Sequence, residues 1–274
     1  MCFLVLDPHI GPVQRWPLVP LQKSSLHEGR TIAAGANSFL KLVQAWNSCI
    51  SDVFQELVGS EMCIRDRYWA NVRVQNKKTH TVEYQPCAFL LPHEYVELLH
   101  RLGDTGVLCS TAGLDPLSHK HLVHCKAMAG AAAMAPLGFW GDGVPVNWDR
   151  SESVETFSIN LPGQCTTWKS LRLPVTGFSR KLLAPGTWDD LMSVVSWSFQ
   201  VAALGVWPSA RRDGSDWLPS DCHRRKKHGN FLKSCLVEVR GDWKFYGETF
   251  GFPKWNSSAG MCWKCTCTPA QVIM

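Results

Sequence analysis

The sequence predicts an α/β or α+β domain, a mixed sheet with flanking helices, and three observations carry that expectation. Strand-like runs set off by Gly and Pro recur after Ala135, in APLGFWGDGVPVNW, SVETFSINLP and TTWKSLRLPV. A segment with helical spacing, TWDDLMSVVSWSFQVAALG, follows them, and a fourth strand, LKSCLVEVRGDW, comes later. Composition permits a core for such a sheet: 45% of the 274 residues are hydrophobic and 19% charged, ordinary values for a globular chain.

Residues 1–36 carry many Pro and Gly without a sustained period and read as irregular. A helix is expected in NSFLKLVQAWNSCISDVFQELVG, where Leu40, Val43, Ile50, Phe54 and Leu57 fall near helical spacing, Asn37 is placed to cap and Gly59 to stop it. RYWANVRVQNKKTHTVEYQ alternates through Val72, Val74 and Val82 as a hairpin does. PHEYVELLHRLG reads as a short helix, with Pro92 near its start, Tyr95, Leu98, Leu99 and Leu102 on one face and Gly103 as its stop. In SHKHLVHCK, a helix would place His121 and Cys125 on one face, a geometry that can bind zinc. The alternative is a packed or solvated pair, since two ligands do not complete a tetrahedron.

In the first strand of the sheet region, Asp142 interrupts the apolar series Leu137, Phe139, Trp140, Val144 and Val146. In the second, Val154, Thr156 and Ser158 alternate with Glu155, Phe157 and Ile159. Thr187 opens the long helix, Asp189 and Asp190 sit in its first turn, Leu191, Val194, Val195 and Leu204 take apolar positions, and Gly205 ends it. A basic connector, RRDGSDWLPSDCHRRKKHG, leads to the fourth strand. Three regions result: 1–67, a poorly ordered or chimaeric segment; 68–135, a small helical and hairpin region; and 136–274, the sheet region with a C-terminal cysteine knuckle.

ELVGSEMCIRDR, residues 56–67, resembles the peptide obtained when sequencing-adaptor DNA is translated inside an assembled transcript. That resemblance implies that residues before Tyr68 need not share a natural protein with those after it, and that 1–67 would pack poorly against the rest. The plain alternative is a charged loop after a helix.

Twelve cysteines would suit a secreted disulfide framework, but MCFLVLDPHIGP has only a brief apolar run before Asp7 and Pro8, unlike a secretory signal. AMAGAAAMAPLGFW is too short to span a bilayer. The expectation is a soluble intracellular chain with reduced thiols. A net charge of +5 permits nucleic-acid contact without requiring it, and the thirteen Trp read mainly as core and groove-lining residues.

Asp142 and Asp242, each preceded by glycine, are the candidate catalytic residues. Phosphodiester hydrolysis or transfer uses two divalent ions about 4 Å apart to hold the attacking and leaving oxygens. Hard ions such as Mg²⁺ or Mn²⁺ prefer carboxylate ligands, and Gly141 and Gly241 would let a phosphate backbone approach. The alternative is turn chemistry, with Asp bonding its own backbone. Cys262 and Cys265 in CWKC, with Cys267 beyond, are candidate zinc ligands supplying half a tetrahedral site, and Cys222, His223 and His228 are placed to complete it; free thiols are the alternative. Arg224, Arg225, Lys226 and Lys227 in RRKKH are candidate DNA-phosphate contacts or a nuclear-import-like run, against a solvated loop. Trp207, Trp217 and Trp243 read either as base-stacking platforms or as core.

The order of three strands, one helix and one strand, with an acid in the first strand and another at the end of the fourth, resembles the ribonuclease H-like fold. GDWKFYGETFGFPKWNSSAGMCWKC is similar to DNA transposases of the CACTA type, in which the second aspartate follows an apolar strand and precedes a cysteine pair. The resemblance spans residues 136–267. It implies a mobile-element-derived fragment of a metal-dependent phosphodiester-transfer enzyme, with Asp142 and Asp242 as ion ligands and a third acid beyond them. The chain reaches Met274 before that acid, so the expectation is a domain truncated at its C-terminus and inactive alone. Two other readings stand beside it: a zinc-stabilised nucleic-acid-binding or protein-binding module, and a chimaeric or decayed translation without selected function.

Overall fold

A computed structural model describes residues 67–102, 105–145, 148, 152–164 and 172–253. The helix expected over 37–59, the adaptor-like peptide up to residue 66 and the CWKC cysteines lie outside the described residues.

The chain begins this part with a hairpin, β1 (Tyr68–Gln75) and β2 (Val82–Phe89), paired from Tyr68 opposite Phe89 to Gln75 opposite Val82. Three helices follow: α1 (Pro92–Leu102), the single turn α2 (Thr105–Leu108) and α3 (Pro116–Met128). Asp115 caps α3, its carboxylate accepting from the backbone N–H of Leu117 at 2.9 Å and of Ser118 at 3.1 Å. Pro116 occupies the first helical position, where a missing N–H costs nothing.

The second sheet holds β3 (Ala135–Pro145), β4 (Ser153–Asn160), β5 (Leu173–Ser179) and β6 (Ser234–Gly241) in the order β5-β4-β3-β6. β3, β4 and β5 are antiparallel in succession, whereas β6 is parallel to β3. A parallel neighbour demands a long crossover, and α4 (Thr187–Leu204) together with the short α5 (Cys222–Lys226) lies within it. The helix α6 (Trp243–Phe250) leaves directly from β6. The architecture is a mixed α/β one, a four-stranded mixed sheet flanked by helices, as the sequence suggests.

The third strand is met in part: β5 shares Leu173–Val175 with TTWKSLRLPV and runs on through Gly177 to Ser179, while residues 166–171 lie outside the described residues. Pro174 lies inside it, opposite Ser158, where the register shifts between Phe157 and Ser158. A proline has no N–H to lend a ladder, so it is tolerated on this edge strand at an irregularity.

One core layer is aromatic. Phe139 of β3 and Phe157 of β4 stack with centroids 5.9 Å apart, and Phe199 and Trp188 of α4 meet them edge-on. Phe245 of α6 joins both strand residues. A second cluster gathers Leu122, Met134, Cys235 and Val237 between α3 and β6, and a third joins Val96, Leu108, Ala135, Leu137, Leu161 and Leu232. The hairpin is tied to α4 by a fork from Arg73, whose Nε and Nη2 each reach the Asp190 carboxylate at 2.8 Å. α1 is tied to β5 by Tyr95, which donates to the Pro174 carbonyl at 2.9 Å. Among the described residues, no helix is long and apolar enough to cross a membrane.

Candidate active site

Register brings the two candidate acids together. Gly141 of β3 lies opposite Gly241 of β6 on parallel strands, so Asp142 and Asp242 follow side by side at the same end of the sheet. Asp142 keeps an edge open to solvent, yet partial burial first, and the charge of Asp242 second, hold its carboxyl above the ordinary range. Asp242 is exposed and caps α6: its Oδ1 accepts from the Phe245 N–H at 2.7 Å. Turn chemistry is therefore realised at Asp242, leaving Oδ2 available for another partner.

The paired glycines do something other than clear a path for phosphate. A Cβ built on either Gly141 or Gly241 would collide with the Phe245 ring, so the space they leave is filled by α6. Each GD pair thus combines a packing requirement at the glycine with an acid next to it, inside β3 for Asp142 and just past β6 for Asp242.

Beside Asp242 opens a cleft of about 430 Å³, lined by Gly143, Pro145, Ser153, Glu155, Asp242, Lys244 and Phe245. Asp142 stands beside Asp242 but is not part of this lining. Glu155 is the residue sequence reasoning missed. It sits opposite Gly143 on β4, is buried, and is gripped by Arg180 at 2.5 Å. The same guanidinium reaches Glu248 of α6 at 3.0 Å, so Arg180 links β4 to α6. One signal was present: Glu155 falls in phase with the buried Phe157 and Ile159, and a charge in a buried series needs a partner.

The basic run divides. Arg224 is fully buried, its Nε 2.6 Å from Glu94 and its Nη1 2.7 Å from Asp221. Lys227 bonds Glu97 at 3.2 Å and lies over the Trp207 ring at 4.2 Å. Arg225 and Lys226 are exposed. Of the three tryptophans raised as stacking platforms, Trp217 is buried against Tyr68 and Trp197, whereas Trp207, against Phe231, and Trp243, which donates to the Pro253 carbonyl at 2.9 Å, are partly exposed.

Cys262 and Cys265 lie outside the described residues. His121 and Cys125 do share a face of α3, with the sulfur 3.5 Å from Nε2, and Cys235 of β6 joins them. Burial, then the neighbouring His124, holds the His121 imidazole below its ordinary pKa. No disulfide joins any of the described cysteines. Cys222 is exposed, and His223 lies 4.0 Å from Glu94. Comparison with protein families, with curated proteins and with solved structures finds no match for this chain.

Proposed function

We propose that the described sheet region is the core of a metal-dependent phosphodiester-transfer domain, ribonuclease H-like in architecture and related to the DNA transposases of mobile elements. The observation that carries this reading is the register of two neighbouring parallel strands, which sets Asp142 inside β3 beside Asp242 at the end of β6. The strand order β5-β4-β3-β6, three antiparallel strands and then a crossover to a parallel fourth, supports it.

The donor set suits a hard divalent ion. Two carboxylates lie close enough for one to raise the pKa of the other, and a shared Mg²⁺ or Mn²⁺ would relieve that repulsion. Bound there, such an ion would supply Lewis-acid polarisation of a phosphoryl oxygen. Asp142 and the free oxygen of Asp242 would hold it, Asp242 being oriented by its bond to the Phe245 N–H. Glu155 contributes a buried charge already met by Arg180, so two acids carry the ligation and much of the coordination shell is left to water. Weak ion binding without turnover by this chain alone is the consequence. Zinc at Cys262 and Cys265 belongs to the same proposal, and the exposed Arg225 and Lys226 would touch DNA phosphates.

A plasmid-nicking assay with Mg²⁺ or Mn²⁺, paired with DNA retention measured with and without the ion, tests the reading. Ion-dependent retention that disappears in Asp142→Asn, without nicking, is expected. Nicking lost in Asp142→Ala or Asp242→Ala would place complete catalysis in this chain, and retention indifferent to the ion would remove the enzymatic reading. A second reading, a binding module without catalysis, draws on Asp242 already serving as a helix cap. It requires DNA or protein binding that both aspartate variants leave unchanged.

A further inference from the structure

We infer that His121, Cys125 and Cys235 bind a divalent transition-metal ion of the zinc class, forming a clamp between α3 and β6 that is separate from the acid pair. The three ligand atoms lie within 4.8 Å of one another. The Cys125 sulfur is 3.5 Å from His121 Nε2. A tetrahedral ion with bonds of about 2.3 Å to sulfur and about 2.1 Å to nitrogen separates those atoms by roughly 3.6 Å, so the pair already stands at the edge length of such a site. Two thiols and an imidazole are soft and borderline donors that select zinc over the hard ions suited to Asp142 and Asp242.

The scaffold holds these donors in place. One turn of α3 sets His121 and Cys125 on a common face, and that helix is fixed at its start by Asp115 and Pro116. Ser118, one turn earlier, donates to the Val237 carbonyl at 3.3 Å, which seats α3 along β6. Leu122, Met134 and Val237 form an apolar wall on which Cys235 is buried. The three donors leave one tetrahedral position for water or a fourth residue.

The ion would act on the fold rather than on chemistry at the cleft. Cys235 precedes Asp242 by seven residues of an extended strand, about 23 Å at roughly 3.3 Å per residue. Anchoring the start of β6 fixes the strand whose far end delivers Asp242.

The test uses the full chain, purified under reducing conditions, depleted of metal and titrated with Co²⁺ and then Zn²⁺. Cobalt–thiolate absorption is expected, with about one equivalent of metal per chain lost in each of His121→Gln, Cys125→Ser and Cys235→Ser. Cys262→Ser paired with Cys265→Ser should leave that equivalent in place, because the knuckle is a different site. With Cys262→Ser and Cys265→Ser in place to silence the knuckle, chelation should lower the melting midpoint by several degrees and have no effect once His121→Gln is added. His121 is only half-buried, so that variant keeps the test open should Cys235→Ser fail to fold. Unchanged metal content in His121→Gln and Cys125→Ser, or a Cys125–Cys235 disulfide recovered from protein never depleted of metal, would overturn the inference.

Discussion

At the scale of single residues, glycine and histidine carry the clearest consequences. Gly141 and Gly241 face the Phe245 ring from two strands, so Gly141→Ala forces a methyl group into a filled space. Overpacking of that kind costs about 1–3 kcal/mol, read as a shift of the urea midpoint with an unchanged slope. His93 is buried between the edges of Trp197 and Trp207, with Nδ1 2.8 Å from the Ser198 hydroxyl. Burial, then the charges of Arg224 and Lys227, lowers its pKa from 6.5 to about 3. The unfolded chain therefore binds a proton that the folded chain refuses, and stability present above pH 6.5 drains away as pH falls toward 3. The slope approaches ~1.4 kcal/mol per pH unit within that window. Stability measured from pH 7 to 5 should fall more steeply for the wild type than for His93→Gln, and parallel curves would contradict the assignment. Neither feature was legible in advance. A GD pair looks the same whether its glycine admits a phosphate or a phenyl ring, and His93 follows Pro92 with no local sign that Ser198 awaits it.

At the scale of elements, the ends of helices were readable because their causes are local. Pro92 begins α1, Thr187 begins α4, and Gly205 ends α4 in a left-handed conformation with φ of 65° that favours glycine. The continuation of the third strand past Val175 to Ser179 was not readable, because Gly177 inside it reads as punctuation. The basic run shows the same limit: RRKKH reads as uniform, yet Arg224 is committed to Glu94 and Asp221 by contacts distant in sequence or set by the α5 turn. Arg224→Ala takes the short ion pair from half-buried Glu94 while Asp221 keeps Arg211, and a loss of about 1–3 kcal/mol is expected in urea unfolding. Arg225→Ala with Lys226→Ala should change stability by less than about 0.5 kcal/mol. The same double variant should weaken DNA binding and flatten its salt dependence by about one unit of slope for each phosphate left without its cation. Loss of stability in the exposed pair, with none at Arg224, would reverse this division.

At the scale of the molecule, the succession of strands and helix was readable from local pattern, whereas the adjacency of first and fourth strands was expected only through the ribonuclease H-like resemblance, and it is met in the pairing of β3 with β6 across the whole crossover. That pairing makes Asp142 and Asp242 neighbours, and it also brings Cys235 to α3 at the other end of the same strand. Glu155 lay in view as a charge in a buried series, but Arg180, which answers it, becomes its neighbour only when β5 pairs with β4. The central claim is that the two aspartates share one divalent ion, and Mn²⁺ binding followed by electron paramagnetic resonance tests it most directly. Asparagine caps a helix about as well as aspartate, so Asp242→Asn keeps α6 in place while removing a charge. The account predicts Mn²⁺ binding by the wild type that is lost in both Asp142→Asn and Asp242→Asn, with melting midpoints unchanged; wild-type affinity retained in either variant would contradict it.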